Sequence, residues 1–388
     1  MSLLRAALPA IGFVFALMVS GAAQLLPPDF WRYPLAPQGK ASRAWTQVER
    51  SLRPEDCGTC HFDKLEEWRT SLHANAFSPG LVGQLLTFNA KETAACMQCH
   101  APLAEQWQAF EAARRRGQAH LPAEQGLAVT GNSCAACHLR SHRRFGPPKR
   151  GTGAIGQSEP SGPHGGVMRT ANFQKSEFCA ACHQFPQEQA VNGKPLENTI
   201  VEWQVSPAAR EGKTCQSCHM PDRKHLWRGI HDPEMVRSGL TPEFVSGPDS
   251  ARFRLTNTGV GHAFPTYVTP KVVMKGVALD KAGKPIAGSE VSYVIQRRVA
   301  SVGNEWIERS DTRLLPGKSI SLEIPWPDSG AVRLWLEVQP DDFYDHQVYD
   351  RLLHELPKNT SAAKLITQAD RRAKTSHFRL FETMLRRP

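Results

Sequence analysis

The chain has 388 residues, enough for two or three ordinary domains, of which 40% are hydrophobic and which include 29 Gly and 29 Pro. That composition is poor for a large self-sufficient core and implies much irregular chain. A formal charge of +10 points toward an anionic surface, yet no nucleic-acid-binding motif accompanies it, and nucleic acid is excluded as a partner.

In chain order, residues 1–23 carry a basic n-region with Arg5, an apolar stretch from Ala6 to Val19, and small residues at Ser20, Gly21, Ala22 and Ala23. This reads as an export signal cleaved near Ala22 or Ala23. The rival is an uncleaved anchor, because apolar character runs on through Leu25 and Leu26. Either way the rest of the chain is expected in the periplasm or outside the cell. Residues 24–54 are polar and Pro-rich, a linker or strap.

From residue 55 the sequence is dominated by one pattern, Cys-x-x-Cys-His, at Cys57, Cys60 and His61; Cys96, Cys99 and His100; Cys134, Cys137 and His138; Cys179, Cys182 and His183; and Cys215, Cys218 and His219. In this pattern two thiols add to one porphyrin edge and the adjoining His supplies an axial nitrogen to the iron. The five copies use all ten cysteines. Zinc ribbons pair their knuckles about 15–20 residues apart with no trailing His. Here successive copies start 36 to 45 residues apart. A thioredoxin-like dithiol explains one pair in a βαβ context, and neither recurs.

Five covalent haem c groups are therefore expected, held by 163 residues from Cys57 to His219. So little chain cannot wrap each haem separately, so the haems themselves must form most of the core. Roughly two ionised propionates per haem offset much of the basic excess. The run Arg143 to Arg150 either pairs with propionates or is a solvated loop.

Candidates for the opposite axial position follow the motifs. His73 ends a helix expected from Phe62, with Leu65, Trp68 and Leu72 at helical spacing, and is expected to serve a neighbouring haem. The stretch from Pro102 to Arg116 reads as a helix with a basic end, with His120 a weak candidate just beyond it. His142 follows the third motif by four residues. His164 lies in a loop rich in Gly, Pro and Ser. Asn192-Gly193 suggests a hairpin or a turn leading into a helix. His225 and His231 follow the fifth motif.

The region 55–245 is thus expected to be a helical and irregular pentahaem domain. From 246 to 345 the chain alternates apolar and polar residues in short runs around Phe253, Val272, Val291, Ile320 and Val332, separated by turn sequences. A small antiparallel β-sandwich is expected there, with His262 on a Gly-flanked loop between its first strands. Residues 346–388 are expected to form a helical tail, with helical spacing around Leu352, Leu353 and Leu356 and again around Phe378, Leu380, Phe381 and Leu385. The overall class is α+β.

The five motifs, Trp68-x-x-Ser71-x-His73, the Cys-His-Met-Pro sequence ending at Pro221 with His225 beyond it, and the stretch around His262 resemble multihaem cytochromes c that include hydroxylamine oxidoreductase and its tetrahaem electron acceptor. The resemblance covers roughly residues 50–235 and implies closely stacked haems, mostly with two His ligands, passing electrons outside the cytoplasm. Partners are then redox proteins: other cytochromes, a quinol-linked donor or a terminal reductase. A homo-oligomer or filament built through the β-domain is the alternative to a monomeric shuttle. Six distal candidates (His73, His142, His164, His225, His231 and His262) for five places favour filled irons and an electron carrier without catalytic residues. One open iron would instead permit oxidoreductase chemistry on a small nitrogen or sulfur compound.

Overall fold

The computed structural model describes residues 26–33, 35–115, 126–158, 162–303, 305–328 and 330–388. The expected export signal and His120 lie outside these residues. Among the described residues, no helix is long and apolar enough to cross a membrane.

The motif-bearing half consists of short helices joined by loops. Its geometry follows from the pattern itself. On a helix, residues i, i+3 and i+4 share one face, so both cysteines and the histidine of a motif project together. The second and fourth motifs end the helices Ala90–His100 and Glu177–His183, while the third and fifth are one-turn helices, Cys134–His138 and Cys215–His219. Caps fix where these turns begin. Asn89 and Glu92 form a reciprocal capping box, as do Thr214 and Ser217.

The apolar clusters of this half are small. One gathers Phe77, Leu81, Val82, Leu85, Met97 and Phe110. Helix α1 (Pro79–Leu85) is covered by helix α2 (Ser361–Thr375). Two glycines permit that approach: a Cβ on Gly83 would lie 2.7 Å from Ile366 Cδ1, and one on Gly80 would lie 2.1 Å from the Tyr349 hydroxyl. Asn192-Gly193 does form a turn, closed by the Val191–Lys194 bridge and followed by the helix Thr199–Gln204.

The other half is a sandwich of two antiparallel sheets. Strands β1 (Leu240–Ser246), β2 (Ser250–Asn257) and β7 (Ser319–Pro325) form one sheet in the order β7-β2-β1. Strands β3 (Lys271–Leu279), β4 (Val291–Ile295), β8 (Ala331–Gln339) and β9 (Phe378–Arg386) form the other, in the order β9-β8-β3-β4. Inward residues such as Phe253, Leu255, Met274, Ile295, Leu334 and Leu336 interlock between the sheets. A separate hairpin, β5 (Arg297–Val302) and β6 (Glu305–Asp311), leaves the sandwich toward the motif-bearing half.

The C-terminal region is helical over Tyr344–Tyr349, Asp350–Glu355 and Ser361–Thr375. Its last segment corrects the expectation of helix around Phe378 to Leu385: this segment is β9, paired with β8. The register shifts between Leu334 and Leu336, and Phe381 has φ 53°. Such a bulge advances the side-chain phase by one residue. It gives the strand the uneven apolar spacing that imitates a helical period.

Candidate functional site

Every cysteine and histidine of the five motifs lines one cavity of 2890 Å³. A single-ligand pocket is typically about 300–1,000 Å³, so this space suits several large groups side by side.

Four motif histidines each face a second histidine across part of this cavity. The ring centroids are 6.4 Å apart for His61 and His164, 6.1 Å for His183 and His73, 6.2 Å for His138 and His225, and 6.5 Å for His219 and His262. These gaps exceed ring contact and leave room for one metal atom with imidazole bonds of about 2 Å on each side.

The hydrogen bonds of the rings fit such a role. Nδ1 lies 2.9 Å from Ala76 O in His100, 2.8 Å from Phe145 O in His138, 2.7 Å from Arg228 O in His219, 3.0 Å from Arg223 O in His225 and 2.9 Å from Ala263 O in His262. A carbonyl only accepts, so Nδ1 carries the proton and Nε2 keeps its lone pair for a metal. Burial holds His73 at about 3 and His225 and His262 at about 4, which keeps these rings neutral, as ligation requires. His183 differs. Its Nδ1 lies 2.8 Å from Glu197 Oε1, and although burial opposes protonation, the carboxylate raises this group to about 8. The His183 ring is open to the cavity rather than to bulk water.

Local structure explains each placement. His73 follows the helix Phe62–Arg69, and its carbonyl accepts the Asn132 N–H at 2.8 Å. His164 has φ 65° and is fixed through its N–H to Glu49 Oε1 at 3.3 Å. His262 comes from the sandwich, on the loop between β2 and β3.

His142 and His231 are not brought opposite a motif histidine. Residues 139–140 and 143–146 pair as a hairpin whose two turn residues, Ser141 and His142, both have positive φ. This turn throws His142 toward the strap, with Nε2 3.1 Å from Gly39 O and its ring on the edge of Trp45. His231 does line the cavity, but its Nε2 lies 3.0 Å from both Asp341 oxygens. Arg144, from the basic run, also lines the cavity and stacks over Trp45.

Thiols of different motifs lie within electrostatic reach of one another: Cys57 of Cys134, Cys99 of Cys182, and Cys179 of Cys215. Cys137 lies within electrostatic reach of Cys179 and Cys182. The fourth motif therefore adjoins the second, third and fifth.

Sequence reasoning missed Glu197, fourteen residues beyond His183 with no local pattern to mark it. It also missed Arg297, which is fully buried. Arg297 donates through Nε to Glu308 at 2.7 Å, through Nη2 to Val191 O and Lys194 O at 2.8 Å, and through Nη1 to Pro195 O. The β5–β6 hairpin thus clamps the loop that leads to Glu197.

Residues 35–145 match the family model described as outer membrane cytochrome MtrC/MtrF-like, domains II/IV. Among solved structures, the chain is similar to a penta-heme cytochrome c552 from Thermochromatium tepidum, at 20% identity and a TM-score of 0.56, over 81% of this chain and 96% of that one. No curated protein matches. Both likenesses fall among multihaem cytochromes. The chain has the fold of the penta-heme protein.

Proposed function

We propose that the protein is an extracytoplasmic electron carrier with five covalent haem c groups, four of them held between paired histidines. The observation that carries this reading is the set of four facing pairs around one cavity. Cys57/Cys60, Cys96/Cys99, Cys134/Cys137, Cys179/Cys182 and Cys215/Cys218 would form the thioethers. His61, His100, His138, His183 and His219 would be the proximal ligands, and His164, His225, His73 and His262 the distal ones. The bound haems supply one-electron chemistry at potentials set by ligands, burial and charge. The residues of this chain orient the rings, and burial holds His73, His225 and His262 neutral. The proximity of thiols from different motifs supports an electron path from the first motif through the third to the fourth, which branches to the second and fifth.

The expected export signal and the match to outer membrane cytochromes support a location outside the cytoplasm, with other redox proteins as partners. Intact mass and haem content test the count: five attached haems are expected, and four or fewer would contradict it.

A second reading is favoured by His100. Among the described residues no imidazole faces its ring. Tyr344, pushed up to about 12 by burial with Cys96 adding to it, belongs to the same cavity wall. Tyr267 and Tyr344 both sense Asp341, which His231 holds. This polar group would serve proton transfer to a small nitrogen or sulfur compound at an open face. Carbon monoxide titration of the reduced protein tests it. One molecule per chain, unchanged in His120→Ala, supports the reading; uptake that appears only in His120→Ala would refute it.

A further inference from the structure

Six of the cavity rings have a defined Nδ1 partner, and five of those partners are backbone carbonyls. Of these six, His183 alone donates through Nδ1 to a carboxylate, Glu197 Oε1 at 2.8 Å; Glu67 Oε2 lies 3.9 Å from His225 Nδ1, beyond hydrogen-bond distance. We propose that Glu197 makes the haem of the fourth motif the lowest-potential haem of the set, at the point where the electron path branches. The proposal rests on the paired-histidine reading above and adds to it a residue that tunes one haem.

Two physical effects act in the same direction. A carboxylate draws the Nδ1 proton more strongly than a carbonyl, so Nε2 becomes a better donor to the oxidised metal. The negative charge also lies one ring away from the iron, where it favours the more positive oxidation state. Both stabilise the ferric form and lower the potential.

The carboxylate is held in place rather than free to swing to solvent. The Phe185 N–H donates to Glu197 O at 2.9 Å, and Gln184 Nε2 donates to the Asn198 side chain at 3.0 Å. The preceding residues are gripped by Arg297 through three carbonyls. This gives the sandwich a second role besides carrying His262: it fixes the geometry of a redox-tuning hydrogen bond in the other half of the molecule.

Position gives the low potential its consequence. Cys182 lies within electrostatic reach of Cys99 of the second motif, and Cys179 of Cys215 of the fifth. On this proximity, the fourth haem lies between the first and third motifs and either branch. A haem that resists reduction there is a step between the two arms, so electrons do not accumulate on it.

The test is an EPR-monitored redox titration of the haem-loaded parent, Glu197→Gln and Glu197→Asp. In the parent, one low-spin haem should be reduced last, separate from the other low-spin signals. In Glu197→Gln, that signal alone should move, with its reduced-to-oxidised ratio at fixed solution potential rising at least tenfold, about 59 mV for a one-electron couple. Glu197→Asp should return it toward the parent. Four low-spin signals titrating together in the parent, or a Gln variant with all haems bound and no selective shift, would overturn the proposal. Fewer than four low-spin haems in the parent would instead overturn the paired-histidine reading beneath it. The parent titration decides the matter even if a variant does not load haem.

Discussion

Replacing His262 with alanine probes the paired-imidazole arrangement directly, because the loop that carries the ring is anchored independently of it. Asn257, 1% exposed, accepts the Val260 N–H at 3.0 Å and donates to His262 O at 3.2 Å and Leu314 O at 3.0 Å. Phe264 and Leu314 exchange two backbone bonds of 2.9 Å, and the Ala263 N–H donates to Glu202 at 3.1 Å. At about 0.5–1.5 kcal/mol each, these six bonds leave about 3–9 kcal/mol of gross stabilisation in the loop after the ring is gone. The fold should therefore survive while one face of the fifth-motif haem opens. EPR of the oxidised variant should show one low-spin haem fewer and one high-spin haem more per chain. Carbon monoxide uptake by the reduced form should rise by one, and added imidazole should reverse both changes. An unchanged spin count with every haem attached would refute the pairing of His262 with His219.

Arg297→Ala should cost about 3–5 kcal/mol in denaturant unfolding of the loaded protein, the expected penalty for breaking a buried pair, whereas Arg252→Ala, at an exposed pair with Glu323, should stay within about 1 kcal/mol. Gly131→Ala would put a Cβ 2.4 Å from His73 O and 2.7 Å from Ala76 N; the displaced backbone should draw His73 off its axis, seen as a high-spin fraction at the fourth-motif haem and nowhere else. Burial opposes ionisation of Asp311, but hydrogen bonds from Arg313 and Lys194 hold its carboxyl well below the usual range. A folded-state value depressed in this way contributes stability that is present above the unfolded value of about 3.9 and is lost as pH falls below it. Asp311→Asn should accordingly be less stable than the parent at pH 7, with the difference in unfolding midpoint shrinking below about pH 4.

The five motifs were legible because the covalent chemistry proposed for them dictates a rigid local spacing, which one turn of helix converts into one face. His73, His164, His225 and His262 could be proposed from density and context, but only tertiary structure shows which motif histidine each ring faces. His142 illustrates why. It lies four residues after His138, at helical spacing, yet the helix stops at His138 and a tight turn reverses the ring. The sandwich strands announced themselves by alternation, except β9, whose bulge changes phase midway. Glu197 gave no signal because fourteen residues without a pattern separate it from His183, and Arg297 gave none because its carbonyl partners come from the other half of the molecule.

The central claim is that one cavity holds five haems, four of them between paired histidines, with no imidazole of the described residues opposite the haem of the second motif. A spin-integrated EPR spectrum of the fully oxidised, fully loaded protein tests it most directly. Four low-spin haems and one high-spin haem per chain is the predicted result. Five low-spin haems would contradict the free face at His100, and two or more high-spin haems would contradict the pairing.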